Sequence, residues 1–226
     1  MKLRFASFCL PLLFVALNAS ADTTIFNDGA IDGNSNAFFI TGPANANFLG
    51  SIQDISNGFT AGASATPTTL QFGMWAGIGD TPTTVSYEIG TSPFATDLGS
   101  GTVALNGSNT TLLFANNLGY DVYSVTIPVN SLAMISGDSY WLTLSNANDA
   151  ANSGTEAWDV TNGGSGGPAT CNFRQSGTNF GDCGTGGESW VLTSGSVSAT
   201  PEPGSLILLG SGLIGIAGAV RRRLTL

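Results

Sequence analysis

The C-terminus contains the feature that most constrains this chain, because Leu206–Val220 carries no charge and is followed directly by Arg221, Arg222 and Arg223. As a helix this run would be about 22 Å long, which is short for a hydrocarbon core of about 30 Å. The small residues before it and the aliphatic stems of the arginines supply much of the missing length. We therefore predict a transmembrane helix over residues 205–220, with the three arginines as a cytoplasmic stop-transfer element.

A tripeptide, Pro201-Glu202-Pro203, precedes the apolar run. Its two prolines hold the chain extended and prevent a helix from continuing upstream. An extended peptide just outside a membrane is accessible to a membrane-embedded protease. The chain has Pro-Glu-Pro, then an apolar helix rich in Gly, Leu and Ile, then a terminal arginine cluster. This order resembles the PEP-CTERM sorting signal and covers about residues 200–226.

This resemblance implies a partner, exosortase, which is a multipass membrane cysteine protease-transpeptidase. Pro201, Glu202 and Pro203 would then be its recognition residues. The tail would be removed, and the protein would pass from the inner membrane to the envelope, surface or extracellular polysaccharide of a Gram-negative bacterium that makes exopolysaccharide or biofilm. A permanent tail anchor is the alternative that the residues leave open.

The N-terminus has the pattern of a secretory signal peptide over residues 1–21. Lys2 and Arg4 form a basic head, residues 5–17 are apolar, and Ala19-Ser20-Ala21 supplies a small-residue cleavage site. Cleavage after Ala21 would leave Asp22 as the new N-terminus. An uncleaved membrane helix is the alternative.

The segment between these ends is acidic: residues 22–200 hold 14 of the 15 acidic residues and one basic residue, Arg174. A net charge of −13 repels nucleic acids and anionic headgroups, so we expect no nucleic-acid partner. The chain has no histidine, which excludes Ser-His-Asp and Cys-His catalysis. We expect a protein that is not an enzyme.

Short apolar and alternating segments, separated by turns, predict one all-β domain over residues 22–199. No stretch of this region has a convincing helical period. The fold predicted is an antiparallel β-sandwich of jelly-roll type. The candidate strands are residues 36–41, 70–76, 83–89, 121–129, 138–145 and 189–197.

Two stretches of this domain resemble exported β-sandwiches that often precede this sorting tail. They are FGMWAGIGDTPTTVSYEIGTSPFATDLGSG and SGDSYWLTLSNA followed by AWDV. Those sandwiches are sometimes described as choice-of-anchor domains. The resemblance implies a fold and a setting but no reaction.

Cys171 and Cys183 are the two cysteines that remain after removal of the signal peptide. In an oxidising compartment an even number of cysteines predicts a disulfide. Two free thiols in a loop are the alternative.

Several side chains of the domain are candidates for a site. Asp28, Asp32 and Asn34 lie in one loop, and their alternating oxygens suit calcium, although Asx-rich turns without metal are commoner. Among the tryptophans, Trp158 is the best candidate for exposure and for stacking on a sugar, although core or edge packing is the commoner fate, whereas Trp141 and Trp190 are expected in the core.

Three functions compete for this domain. The first is a structural protein of the cell surface or the extracellular matrix. The second is a secreted carbohydrate-binding module, with extracellular polysaccharide as its partner. The third is a glycoside hydrolase using two carboxylates, for which the glutamates Glu88, Glu156 and Glu188 are the candidates.

Overall fold

The computed structural model places a β domain whose described residues all belong to one compact unit, residues 22–195. The described residues are 22–33, 36–41, 53–151, 154–161, 171–175, 178–182 and 187–195. The predicted signal peptide, residues 1–21, and the predicted helix over residues 205–220 lie outside them. The three predicted segments, 1–21, 22–199 and 200–226, stay predictions.

The described part of the chain is built from strands and turns. None of its residues lies in a helix, and accordingly no helix there is long and apolar enough to cross a membrane. The strands are β1 (Thr23–Asn27), β2 (Asn36–Phe39), β3 (Gln53–Thr60), β4 (Thr69–Gly77), β5 (Pro82–Gly90), β6 (Gly99–Ala104), β7 (Thr110–Ala115), β8 (Tyr120–Pro128), β9 (Ser139–Asp149), β10 (Ala157–Thr161), β11 (Cys171–Gln175), β12 (Thr178–Asp182), β13 (Gly187–Glu188) and β14 (Trp190–Ser194).

These strands form two antiparallel sheets, which confirms the prediction of an all-β sandwich. The six-stranded sheet has the order β12-β11-β3-β9-β5-β6. In the eight-stranded sheet the strand order is β1-β14-β4-β10-β13. Strand β2 also pairs with β10, and β8 pairs with β4 along its other edge and with β7. The jelly-roll winding stays a prediction.

Strand β4 organises the eight-stranded sheet because both of its edges are used. Along one edge it pairs with β8 from Thr69 to Gly77. On the other edge its first half pairs with β14, and Met74 and Trp75 pair with β10. Its even-numbered side chains, Leu70 to Ala76, are fully buried against the six-stranded sheet, as the period of two in a strand requires.

Aromatic rings join the two sheets through the core. Phe59 of β3 in the six-stranded sheet lies 5.1 Å from Phe26 of β1 and 4.9 Å from Trp190 of β14, measured between ring centroids. Tyr140 of β9 extends the cluster at 5.9 Å from Phe59. Such edge-to-face and tilted contacts stabilise a core beyond the area that the rings bury.

The six predicted strands all appear, as β2, β4, β5, β8, β9 and β14, with ends that differ by a few residues. Strand β10 was not predicted. All five of its residues are buried, because β2, β4 and β13 pair with it and both of its faces are covered. A strand buried on both faces has no alternation of apolar and polar residues, and Asp159 in its centre hides it further.

The core placement of Trp158 generates a prediction. Trp158 is fully buried between the sheets, so Trp158→Ala leaves a large cavity and should destabilise the domain by about 3–5 kcal/mol. Trp141→Ala is the matched control: Trp141 is only half-buried, so its removal should cost clearly less. Urea unfolding followed by far-UV circular dichroism measures both. Equal losses for the two variants would contradict the assignment of Trp158 to the core.

Candidate functional site

The sorting residues follow the end of the fold. Strand β14 ends at Ser194, and the last described residue is Gly195. Pro201, Glu202 and Pro203, like the arginines at 221–223, lie outside the described residues, so their recognition and stop-transfer roles stay predictions. What the structure adds is that every strand it describes precedes them.

The predicted disulfide has one described end. Cys171 begins β11, is fully buried and is disulfide-bonded. Cys183 lies outside the described residues, so the pairing of the two stays a prediction. A bridge at Cys171 would hold the edge of the six-stranded sheet, because β11 pairs with β3 there.

The loop that contains Asp28 and Asp32 is held by a buried carboxylate. Asp159 of β10 is fully buried on the outer face of the eight-stranded sheet, and Trp75 Nε1 donates to its Oδ1 at 2.7 Å. The main-chain nitrogens of Asp32 and Gly33 donate to the two oxygens of Asp159, each at 3.1 Å. Burial raises the pKa of Asp159, and these bonds oppose that rise.

The position of this loop also explains why a glycine follows Asp32 in the sequence. Gly33 has φ of 60°, in the left-handed region that favours glycine. A Cβ at Gly33 would lie 2.6 Å from Cε2 of Phe114. The loop therefore needs glycine to pass between Phe114 and the carboxylate of Asp159.

The calcium candidates are separated by this arrangement. The segment around Asp32 is bound to Asp159, whereas Asp28 lies against Gly187 of β13. Asn34 lies outside the described residues. Within the described ranges no three His, Cys, Asp or Glu side chains gather as metal ligands do. The main chain of the loop is thus held by a protein carboxylate, and the calcium set of Asp28, Asp32 and Asn34 stays a prediction.

Glu188 occupies an unusual position beside Asp28. It is fully buried in β13, and among the residues that the structure describes neither of its carboxyl oxygens has a hydrogen-bond partner. Burial, with a smaller contribution from Asp28, raises the pKa of Glu188 from 4.5 to about 8. No pattern in the sequence predicted this burial, because a glutamate before an apolar strand usually lies on the surface.

A polar face covers the outside of the six-stranded sheet. Glu88 of β5 pairs with Thr143 of β9, which pairs with Ser56 of β3, so the three side chains point to one side. The residues next to them, among them Ile55 and Leu142, point into the core. We call the set of Asp54, Ser56, Ser86, Glu88, Thr143 and Arg174 the polar face.

One cation is fixed on the polar face. Arg174 Nε donates to Asp54 Oδ2 at 2.6 Å, and its guanidinium carbon lies 4.7 Å from the ring centroid of Phe94. Ser56 accepts a bond from Thr143 at 2.9 Å. Partial burial raises the pKa of the nearby Glu88, and Arg174 opposes that rise.

A shallow hollow of about 240 Å³ opens on the polar face over β5 and β6. Its side chains carry hydroxyl, amide and carboxyl groups, and Ser86 and Thr102 share a hydrogen bond at 2.8 Å. The lining residues are Ser86, Tyr87, Glu88, Ser100, Gly101, Thr102 and Asn146. A hollow with such groups suits a ligand rich in hydroxyls.

The structure corrects the prediction for Trp141. Trp158, the best candidate for exposure, is fully buried, in line with the commoner fate of a tryptophan, because β10 is an inner strand of its sheet. Trp190 is in the core as predicted, whereas Trp141 is half-buried on the polar-face side of β9. Trp75 is buried under the loop bound to Asp159. A sugar-stacking role for Trp158 is therefore wrong.

The three glutamates divide between the sheets. Glu88 lies on the polar face of the six-stranded sheet, whereas Glu188 is fully buried in β13 of the eight-stranded sheet. Glu156, also fully buried, precedes β10 of that sheet. Glu88 therefore does not share a cleft with either of the other two, as a glycosidase pair of glutamates would require.

The buried carboxyl of Glu188 predicts a stability that falls as pH rises. Between pH 4.5 and about 8 the folded state keeps the proton on Glu188 and the unfolded state has lost it. Unfolding then releases a proton, so the free energy of unfolding should drop across this window, by several kcal/mol in all. Glu188→Gln mimics the protonated acid and should remove most of that drop.

Chemical unfolding at several pH values, in buffer containing EDTA, measures this effect. Asp159 and Glu88 also have raised pKa values and should leave a smaller slope in the variant. Parallel pH profiles for the wild type and Glu188→Gln would contradict the prediction.

Comparison with known proteins identifies the C-terminal tail. Residues 199–223 match the PEP-CTERM protein-sorting motif. No curated protein and no solved structure matches the chain. The likeness of the sandwich to choice-of-anchor domains stays a prediction. The matched residues include the Pro-Glu-Pro tripeptide, the apolar run and the three arginines, so the chain carries a PEP-CTERM protein-sorting motif, which implies export and processing by exosortase.

Proposed function

We propose that this chain is a non-enzymatic protein of the cell surface or extracellular matrix, working in the exopolysaccharide or biofilm of a Gram-negative bacterium. The observation that carries the proposal is the position of the sorting motif. The motif begins at residue 199, after the last strand has ended at Ser194. Exosortase can therefore remove the tail without removing any described strand.

The N-terminal end of the sandwich can likewise lose the segment beyond it without losing a described strand. Strand β1 begins at Thr23, directly after the predicted signal cleavage at Ala21. The predicted transmembrane helix over residues 205–220 would hold the precursor in the inner membrane between these two cleavages. The sandwich would then leave the membrane whole, which suits a protein whose work begins outside the cell.

The polar face supports contact with polysaccharide. Its hollow presents hydroxyl, amide and carboxyl groups, which form the hydrogen bonds that sugars need. The single cation, Arg174, is already bound to Asp54, and residues 22–200 carry a net charge of −13. This charge repels anionic polymers, so an uncharged polysaccharide is the ligand that the face suits best.

The carbohydrate-binding alternative therefore moves from Trp158 to this hollow. Trp158 has no exposed surface with which to stack on a sugar, whereas Ser100 is exposed at the rim of the hollow. A matrix protein and a carbohydrate-binding module become one proposal, in which the hollow retains the processed protein in the matrix.

A retention experiment tests this proposal. Glu88→Ala and Thr102→Val remove polar groups of the hollow and should release the protein from exopolysaccharide isolated from the producing cells, with at least a tenfold loss in co-sedimentation. Thr126→Val is the matched control, because Thr126 is exposed on β8 of the other sheet. Retention that is unchanged in all three variants would contradict a role for the hollow.

A further inference from the structure

Strand β7 is an uncovered edge of the eight-stranded sheet. Among the described strands it pairs with β8 alone. All of its residues after Thr110 are exposed, and Leu112, Leu113 and Phe114 are exposed by 52%, 43% and 40%. Leu118, in the turn that follows, is 58% exposed. Four of the seven large apolar side chains that are exposed in the described part of the chain therefore lie on β7 and its turn.

The main chain of β7 also presents polar groups at this edge. The Thr126 nitrogen donates to the carbonyl oxygen of Asn109 at 2.8 Å, so Asn109 and Thr126 form a hydrogen-bonded pair. The two kinds of pair alternate along an antiparallel ladder, which makes Leu112, opposite Tyr123, a non-hydrogen-bonded residue. The amide and the carbonyl of Leu112 therefore point away from β8, toward the uncovered edge.

Strand β7 lacks most of the features that protect a sheet edge. Such edges are usually protected by charged side chains, prolines, bulges or a covering segment. The sequence of β7, TTLLFA, contains neither a charge nor a proline. The protective feature that it does carry is a bulge between Leu112 and Phe114. Because a bulge disrupts the ladder locally, an incoming strand finds regular pairing at Leu112 and the residues before it.

The charge of the domain favours a second copy as the incoming strand. Residues 22–200 carry a net charge of −13, so two copies repel each other over most of their surface. Residues 98–120 carry no charge, and they include β6, β7 and the turn on each side of β7. Two acidic copies can therefore approach along this edge with the least repulsion, whereas a charged partner would find no opposite charge there.

We propose that β7 pairs antiparallel with β7 of a second copy, which joins two eight-stranded sheets into one. A two-fold axis relates identical strands that run in opposite directions, so antiparallel pairing gives a closed dimer. The Leu112 amide donates to a carbonyl of the second copy, and the same bond forms in reverse. The exposed apolar side chains of both strands lose contact with water. This self-association does not depend on the retention in polysaccharide proposed above.

Sedimentation of the full chain in detergent micelles tests the proposal. We expect the protein mass per particle to rise with concentration from one copy to two, because association follows mass action. Hydrogen exchange measured by mass spectrometry locates the contact. The peptide that contains residues 109–116 should exchange faster on dilution, since the Leu112 amide then loses its partner.

Variants of Leu112 distinguish β7 from the sorting tail as the site of association. Leu112→Glu places a carboxylate in the contact of both copies and should weaken association at least about tenfold. Leu112→Pro removes an amide that β8 does not use, so it should abolish association while the domain stays folded. If Leu112→Pro does not fold, Leu112→Glu gives the same test.

Ile135→Glu is the matched control. Ile135 is 61% exposed and lies in a turn whose Gly137 nitrogen donates to the carbonyl oxygen of Ala61, outside β7 and its turns. It receives the same charge on another exposed apolar residue, and the variant should associate like the wild type.

Three results would overturn the proposal. One is a wild-type chain that stays a single copy per micelle at every concentration. Another is an association that Leu112→Glu weakens no more than Ile135→Glu does, which would assign it to the sorting tail or to another surface. The third is a slow exchange of residues 109–116 that dilution does not change, which would mean that another segment of the same chain covers β7.

Discussion

The pairing of the first strand with the last is the interaction on which the rest of the structure depends. Strand β14 lies between β1 and β4, so the two ends of the domain close one sheet together. Trp190 at the start of β14 fixes this junction in the core, with its ring centroid 4.6 Å from that of Phe26 in β1. Because β1 and β14 pair with each other, removal of the segments beyond them takes no described strand from the sheet.

The shortage of basic residues shapes what lies on each sheet. In the six-stranded sheet the one arginine sits on the polar face, where it offsets Asp54 and lowers the cost of ionising Glu88. In the eight-stranded sheet main-chain nitrogens and Trp75 serve Asp159 in place of a cation, while Glu188 has no such donor. The two sheets thus differ in chemistry although they share one core.

Six of the fourteen described strands were predicted from the sequence, and half-exposure did not decide which, since the half-exposed strand β6 was missed. Strand β4 and strand β9 were found because turns bound runs of apolar and β-branched residues. Strand β10 was missed because its neighbours bury both faces, which removes the alternation. The expectation for Trp141 failed because Tyr140, Leu142 and Leu144 take the core side of β9, which leaves Trp141 on the outer face.

The candidate sites show the same limit. The tail could be read from sequence alone, since its tripeptide, apolar run and arginines are contiguous, and residues 199–223 match the sorting motif. The burial of Glu188 could not, because it depends on the pairing of β13 with the distant strand β10. Local spacing instead suggested Asp32, whose segment is bound to Asp159.

The central claim is that a sandwich complete within residues 22–195 is released from its sorting tail. The intact mass of the protein recovered outside the producing cells tests it most directly, because the mass fixes both termini at once. The account predicts a chain that begins at Asp22 and ends after Gly195 but before the apolar run that starts at Leu206. Full-length tails ending at Leu226 in the extracellular fraction would contradict it and would make the C-terminus a permanent anchor.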